Sequence, residues 1–274
     1  MSYFSNKSRV LVNVVGIPSI LSIIYFGNDI INFPLFSLFI LIVTMLSVYE
    51  WNNLVDTKNT GIKILNFISV LLIIYSLHMN CSYDYILLII LIHTFLSVIF
   101  EIFKSYSNPL GDISTSILGV IWVGVFIGSL IFIRNLPDGI VLTLMMILSI
   151  WICDTFAFVF GSSYGTKKMA PSISPNKTWL GTFFGFLGSF ILPFLIYFYY
   201  PIEGFAVLDY MIFAFIFGVI GQIGDLSISI LKRQANIKDT SNILKGHGGV
   251  LDRFDSLSFA SPMFCIILHI RNLI

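Results

Sequence analysis

Charge is what this sequence has least of. Only 11% of its 274 residues are Asp, Glu, Lys or Arg, less than half the share found in soluble globular proteins. Neither sign dominates, since 15 basic and 14 acidic residues leave a net charge of +1. That excludes a protein working by bulk attraction to nucleic acid. Cysteine is nearly absent too. Cys81, Cys153 and Cys265 lie far apart, so there is no Cys-x-x-Cys metal or redox motif and no disulfide framework. What the chain has instead is apolar surface: 57% hydrophobic residues, including 27 Phe. Its 29 charges cannot cover a soluble surface of that composition, so lipid is its main solvent.

Crossing roughly 30 Å of hydrocarbon takes about 20 mostly apolar residues. Nine segments qualify, near 10–27, 30–49, 64–79, 85–103, 113–133, 139–161, 180–200, 208–231 and 256–271. The first follows Lys7 and Arg9 as a signal peptide would, but it outruns a typical signal core and lacks a small-residue cleavage site. It is read as a span. Basic residues then fix the orientation. With the N-terminus inside, 13 of the 15 fall on the cytoplasmic side and only Arg134 and Arg271 outside. The expected architecture is an all-α polytopic membrane protein of about nine transmembrane helices, with a cytoplasm-facing polar cavity in its C-terminal half. Residues 1–135 supply about five structural spans with ordinary short loops, where Glu50, Glu101 and Asp112 receive no role. Residues 136–274 carry the chemistry, including two cytoplasmic loops, 162–179 and 232–255, that hold eight of the basic residues.

Two acids interrupt the apolar spans of that second half, Asp154 and Asp225. A carboxylate inside a membrane costs at least about 2.5 kcal/mol on insertion scales and normally faces a polar cavity with a partner. Each stands some seven residues from the cytoplasmic end of its helix, about 10 Å at 1.5 Å per residue. Small residues accompany them at helical spacing: Gly218 and Gly221 before Asp225, and Gly181, Gly185 and Gly188 on the preceding span. Such spacing favours close helix packing, and beside Asp225 it also leaves room for a metal and a phosphate. From Ser229 to Asp255 runs a stretch in which Lys232, Arg233, Lys238 and Arg253 alternate with Asp239, Asp252 and Asp255 around Gly246-His247-Gly248-Gly249. Cations would neutralise phosphates, glycines let the backbone approach an anion, and Asp offers the hard oxygens that Mg²⁺ prefers. The segment Gly161-Ser162-Ser163-Tyr164-Gly165-Thr166-Lys167-Lys168 has too few residues between its glycines, and no Lys-Ser/Thr after them, for a P-loop. With Lys177 and Thr178 at the start of the next helix it makes a second cationic wall. His78, His93 and His269 read as structural.

The pattern Ser229-Ile-Leu-Lys232-Arg233, then Lys238-Asp239-Thr240-Ser241, then Leu244 through Asp255 resembles the signature of the phosphatidate cytidylyltransferase (CDP-diacylglycerol synthase) family. The surroundings of Asp154 and Ser174-Pro175-Asn176-Lys177-Thr178 resemble it as well. Three positions depart from the family pattern: Lys245 stands where Pro is usual, Leu180 where Glu is usual, and Ser162 where Arg is common. The resemblance implies transfer of CMP from CTP to phosphatidic acid, releasing pyrophosphate, by a multi-pass enzyme of the cell membrane facing the cytoplasm. It implies Mg²⁺ at Asp225 and Asp252, with a second cation such as K⁺ as a companion, and suggests a homodimer. Asp255, Lys232 and Arg233 complete the expected catalytic set. Lys167, Lys177, Thr178, Ser229, Lys238, Asp239, His247, Gly248, Gly249, Arg253 and Asp154 are expected to contact substrate. A CTP-dependent kinase or cytidylyltransferase of another lipid, polyprenol or phytol in type, is the alternative enzyme. A transporter also uses intramembrane acids, but both acids here lie near one face beside cationic loops, and no inverted repeat is evident.

Overall fold

The computed structural model describes residues 15–27, 34–103, 108–244 and 248–271. Seven helices in it are long and apolar enough to cross a membrane: α2 (Leu35–Leu54), α3 (Thr60–His78), α4 (Tyr83–Ile102), α5 (Pro109–Asn135), α6 (Gly139–Tyr164), α7 (Trp179–Tyr199) and α8 (Val207–Gln234). Two shorter apolar helices, α1 (Val15–Phe26) and α9 (Asp255–Ile270), fall within the first and last expected spans. The first two expected spans lie partly outside the described residues. The protein is all-α; among the described residues one antiparallel hairpin of β1 (Lys168–Ala170) and β2 (Ser174–Thr178) is the exception.

Polar residues punctuate the apolar runs and so decide where the helices begin and end. Asn59 caps α3 by accepting the Gly61 N–H at 2.9 Å, and Asn108 caps α5, whose first residue is Pro109. Pro is at home there because that N–H has no helical partner anyway. Asp56, Asn80 and Asn236 take the left-handed conformation just past α2, α3 and α8, with φ of 53°, 51° and 58°. At each of these ends two reversed backbone bonds close the last turn, as in Ile237 N–H to Lys232 O at 2.9 Å.

The chain forms two compact units. One joins the residues through Phe132 with Asp239–Arg253; the other joins Ile133–Lys238 with Phe254 onward. In the first unit a buried polar chain links α2 to α5. Asn66 donates to Asn52 at 2.7 Å, Ser116 donates to Asn66 at 2.6 Å, and the His93 ring lies between Ser116 and Ser69 at 3.0 and 2.9 Å. Groups that would be costly in lipid thereby satisfy one another and fix how the helices pack. His93 is structural in this sense.

In the second unit α6 and α7 meet along a seam of small residues. A Cβ on Gly185 would lie 2.9 Å from the Cys153 carbonyl, and one on Gly181 would lie 2.6 Å from that of Ala157. Gly218 likewise packs against Ser189 and Phe186, but Gly221 has nothing nearer than 3.8 Å. Ile216–Ile220, which contains Gly218 and ends just before Gly221, widens into a π-helical turn. Such turns leave carbonyls without helical partners. The Ser189 hydroxyl reaches the Ala214 carbonyl at 2.8 Å, and Gln222 the Gly218 carbonyl at 2.8 Å.

Candidate functional site

Within the second unit, the hairpin is what carries Lys177 to α8. The strands pair Lys168 with Thr178 and Ala170 with Ser174, and the Trp179 N–H closes onto the Lys167 carbonyl at 3.1 Å. Lys177 then sits at the last turn before α7, and its ammonium contacts Asp225 Oδ2 at 2.6 Å. Both side chains are about a quarter to a third exposed, so the pair is partly desolvated without being sealed from water. Thr178, the next residue, is buried and caps α7 by accepting the Gly181 N–H at 3.1 Å. Gly161 and Gly165 pack against the Thr178 hydroxyl. Those two glycines therefore serve helix packing, and Gly161 to Tyr164 form the end of α6 rather than a loop.

Asp255 opens α9. Its carboxylate accepts the Ser256 N–H at 2.6 Å and feels the charges of Asp225, Asp154 and Lys232. Lys177 is in turn an electrostatic neighbour of Cys153, next to Asp154. Three acids and two lysines from α6, β2, α8 and α9 therefore share one neighbourhood of this unit. Ser229 lies one turn beyond Asp225, with its hydroxyl 3.5 Å from Asp225 Oδ1. Lys232 is buried. Arg233 is turned to the backbone: Nε donates to the Ile173 carbonyl and Nη1 to the Ile237 carbonyl, both at 3.0 Å, pinning the hairpin turn to the end of α8. Lys167 and Lys238 are exposed.

The remaining expected residues belong to the first unit. Asp252 is buried, and its Oδ2 accepts the Thr240 N–H at 2.8 Å, the Thr240 hydroxyl at 3.0 Å and the Gly249 N–H at 2.9 Å. Gly248 has φ of +79°, where only glycine is unstrained, and a Cβ there would lie 2.9 Å from Asp252 Oδ2. Asp239 and Arg253 are exposed. His247, with Lys245 and Gly246, lies outside the described residues.

A carboxylate left without a role by the sequence proves central to this segment. Glu50 is fully buried and accepts three hydrogen bonds, from the Ser241 hydroxyl and the Val250 and Leu251 N–H groups, with the Thr240 hydroxyl shared between it and Asp252. The apolar run that suggests a span ends at residue 49, whereas α2 continues to Leu54 and keeps Glu50 within the helix. The available signal was the one that marked Asp154, an acid attached to an apolar helix.

For a divalent cation the fit is partial. Among the described residues, no three His, Cys, Asp or Glu side chains gather closely enough to hold an ion by themselves. Mg²⁺ typically needs only one or two carboxylates, completing its shell with water and phosphate oxygens. Asp225 already holds a cation in the form of the Lys177 ammonium, so its environment suits positive charge.

A family model, described as the cytidylyltransferase family, matches residues 7–271. The chain belongs to the cytidylyltransferase family. Among its curated relatives, the phosphatidate cytidylyltransferase of Staphylococcus haemolyticus (strain JCSC1435) is 38% identical over 157 residues, covering 57% of this chain and 59% of that protein. The Rickettsia typhi phosphatidate cytidylyltransferase is 37% identical over 153 residues, covering 54% and 67%. That of Rickettsia bellii is 37% identical over 170 residues, covering 59% and 72%. The chain thus spans about three fifths to three quarters of the relatives it matches.

Proposed function

We propose that this protein transfers CMP from CTP to phosphatidic acid, giving CDP-diacylglycerol and pyrophosphate, at the cytoplasmic face of the cell membrane. The observation that carries the reading is the Lys177–Asp225 pair. In a family that acts with cytidine nucleotides, it sets a cation of the hairpin beside an anion of an apolar helix. The lipid brings its own nucleophile. A phosphate oxyanion of phosphatidic acid attacks the α-phosphorus of CTP, a new P–O bond forms, and the bond to the β-phosphate breaks as pyrophosphate departs. No Ser, Cys or His nucleophile is needed, and no base is required near neutral pH. The protein's task is to hold two strongly charged groups in line and offset the charge that moves to the leaving group.

Lys177, Lys232 and Lys238 are proposed to bind phosphates. Arg233 acts one step back, pinning the hairpin that presents Lys177. Asp225 is the carboxylate proposed to hold Mg²⁺. Asp252, assigned the same role by the sequence, belongs to the other unit and is tested by its own substitution. When bound, Mg²⁺ would neutralise phosphate charge as pyrophosphate leaves. Asp255 and Asp154 keep the neighbourhood anionic, balancing the lysines.

Doubly labelled CTP tests the reading. Purified protein in lipid nanodiscs receives CTP labelled at the α- or the γ-phosphate, with phosphatidic acid or a polyprenol as acceptor. The expected outcome is α-label in the phosphatidic acid product and γ-label in pyrophosphate. Transfer of γ-label to polyprenol would make the protein a lipid kinase instead, and no transfer to either lipid would refute the reading.

A further inference from the structure

The segment from Asp239 to Arg253 carries several of the expected site residues, yet among its described residues there is almost no regular structure, with Leu251–Arg253 alone forming a single helical turn. Its internal donors must therefore find partners elsewhere. Four of its N–H groups converge on two carboxylates. Asp252 collects the Thr240 and Gly249 N–H groups, as described above. Glu50, reaching across from α2, collects those of Val250 and Leu251 together with the Ser241 hydroxyl. Its Oε1 accepts the Ser241 hydroxyl at 2.6 Å and the Val250 N–H at 2.8 Å. Its Oε2 accepts the Leu251 N–H at 2.7 Å and lies 2.9 Å from the Thr240 hydroxyl. That hydroxyl has one proton and stands between Glu50 and Asp252, 2.9 and 3.0 Å away, so it donates to only one of the two carboxylates at a time.

The fit leaves no slack. A Cβ on Gly249 would collide with the Thr240 hydroxyl and lie 2.6 Å from both Glu50 oxygens. Glu50 shows no surface to solvent. A carboxylate with three donors of its own and a share in the Thr240 hydroxyl, in a water-poor site, is well compensated, whereas a carboxamide of the same shape is not. One of its two ends would present an N–H₂ to donors that need an acceptor.

We infer that Glu50 is a positioning residue for the Asp239–Arg253 segment, holding the Gly248–Gly249 turn and the Asp252 carboxylate in one conformation from a helix 190 to 201 residues away in sequence. The inference concerns the order of the segment, and its kinetic consequence rests on the CMP-transfer reading. Glu50 touches no reacting atom in this scheme. Its loss acts through the placement of Asp252 and the turn, which lowers turnover more than it weakens CTP capture by Lys177, Lys232 and Lys238.

The test compares wild type, Glu50→Gln, Glu50→Asp and Ser241→Ala as full-length protein in nanodiscs. Amide exchange is followed in peptides covering 239–253, beside kcat and KM for CTP. In Glu50→Gln, exchange at Val250 and Leu251 should rise at least tenfold while α3 stays as protected as in wild type. Its kcat should fall at least tenfold with KM for CTP changed less than threefold. Glu50→Asp, which keeps the charge, should recover part of both effects. Ser241→Ala removes one of the three donors that Glu50 does not share and should show a smaller rise in exchange, which keeps the test meaningful if Glu50→Gln fails to fold. Unchanged exchange at 250–251 in Glu50→Gln, or equal exchange in wild type and Ser241→Ala where Glu50→Gln does not fold, would overturn the inference. The exchange measurement does not depend on turnover. A wild type that transfers no CMP would therefore refute the proposed reaction while leaving the role of Glu50 to be decided by exchange.

Discussion

Substituting Gly181 by Ala should damage the site by moving the helix that presents it. The added Cβ would lie 2.6 Å from the Ala157 carbonyl, 3.0 Å from Gly161 Cα and 3.1 Å from the Thr178 hydroxyl. Two of the three neighbours are backbone and cannot swing away. Opening the closest contact to an ordinary 3.4 Å takes a shift of about 0.8 Å. Overpacking of this kind costs about 1–3 kcal/mol. The start of α7 would have to move, and with it Thr178 and the adjoining Lys177. A displacement of about 1 Å can cost on the order of 100-fold in rate, so CMP transfer should fall roughly 10- to 100-fold. Gly221→Ala is the matched control, because its Cβ would have nothing within 3.8 Å and Ala is favoured over Gly in a helix by about 1 kcal/mol. That variant should be as stable as wild type or more so. Thermal unfolding in detergent and initial rates of CMP transfer read both effects. If Gly181→Ala were as stable and as active as Gly221→Ala, the α6–α7 seam would not control the position of Lys177.

Further outcomes follow from the same structure. Asp225→Asn and Asp252→Asn should each leave an inserted, folded protein that forms no CDP-diacylglycerol, and wild type should lose activity in EDTA and regain it with Mg²⁺. Near-normal turnover of either variant at low Mg²⁺ would move the metal assignment to Asp255 or Asp154. Cysteines placed at the exposed residues Ser172 and Asn242 should react with impermeant reagent only from the cytoplasm, and native Cys81, also exposed, only from outside. Asn66→Leu removes both the donor to Asn52 and the acceptor of Ser116. Hydrogen bonds between membrane helices average about 0.6 kcal/mol, so a loss of about 1–2 kcal/mol in unfolding is expected, with little change in KM for CTP.

What the sequence determined by itself was the solvent and the chemistry. Long apolar runs and scarce charge can only mean lipid, and an acid such as Asp225 inside such a run is too costly to be idle. The gapped pattern from Ser229 to Asp255 carried the family because it is local, with its residues near one another along the chain. Tertiary structure decided which partner each charge takes. Arg233 and Lys177 look alike as cations beside a phosphate site, yet one serves carbonyls of the hairpin turn and helix end while the other meets Asp225. Gly181 and Gly221 look alike as small residues at helical spacing, yet one is walled in and the other has space beside it. The partners of Glu50 were not legible because no helical or strand period relates residue 50 to residues 240–251. Its partners are backbone N–H groups and two hydroxyls, which carry no pattern in sequence. A buried carboxylate announces that it needs donors, and only the folded chain shows which donors it found.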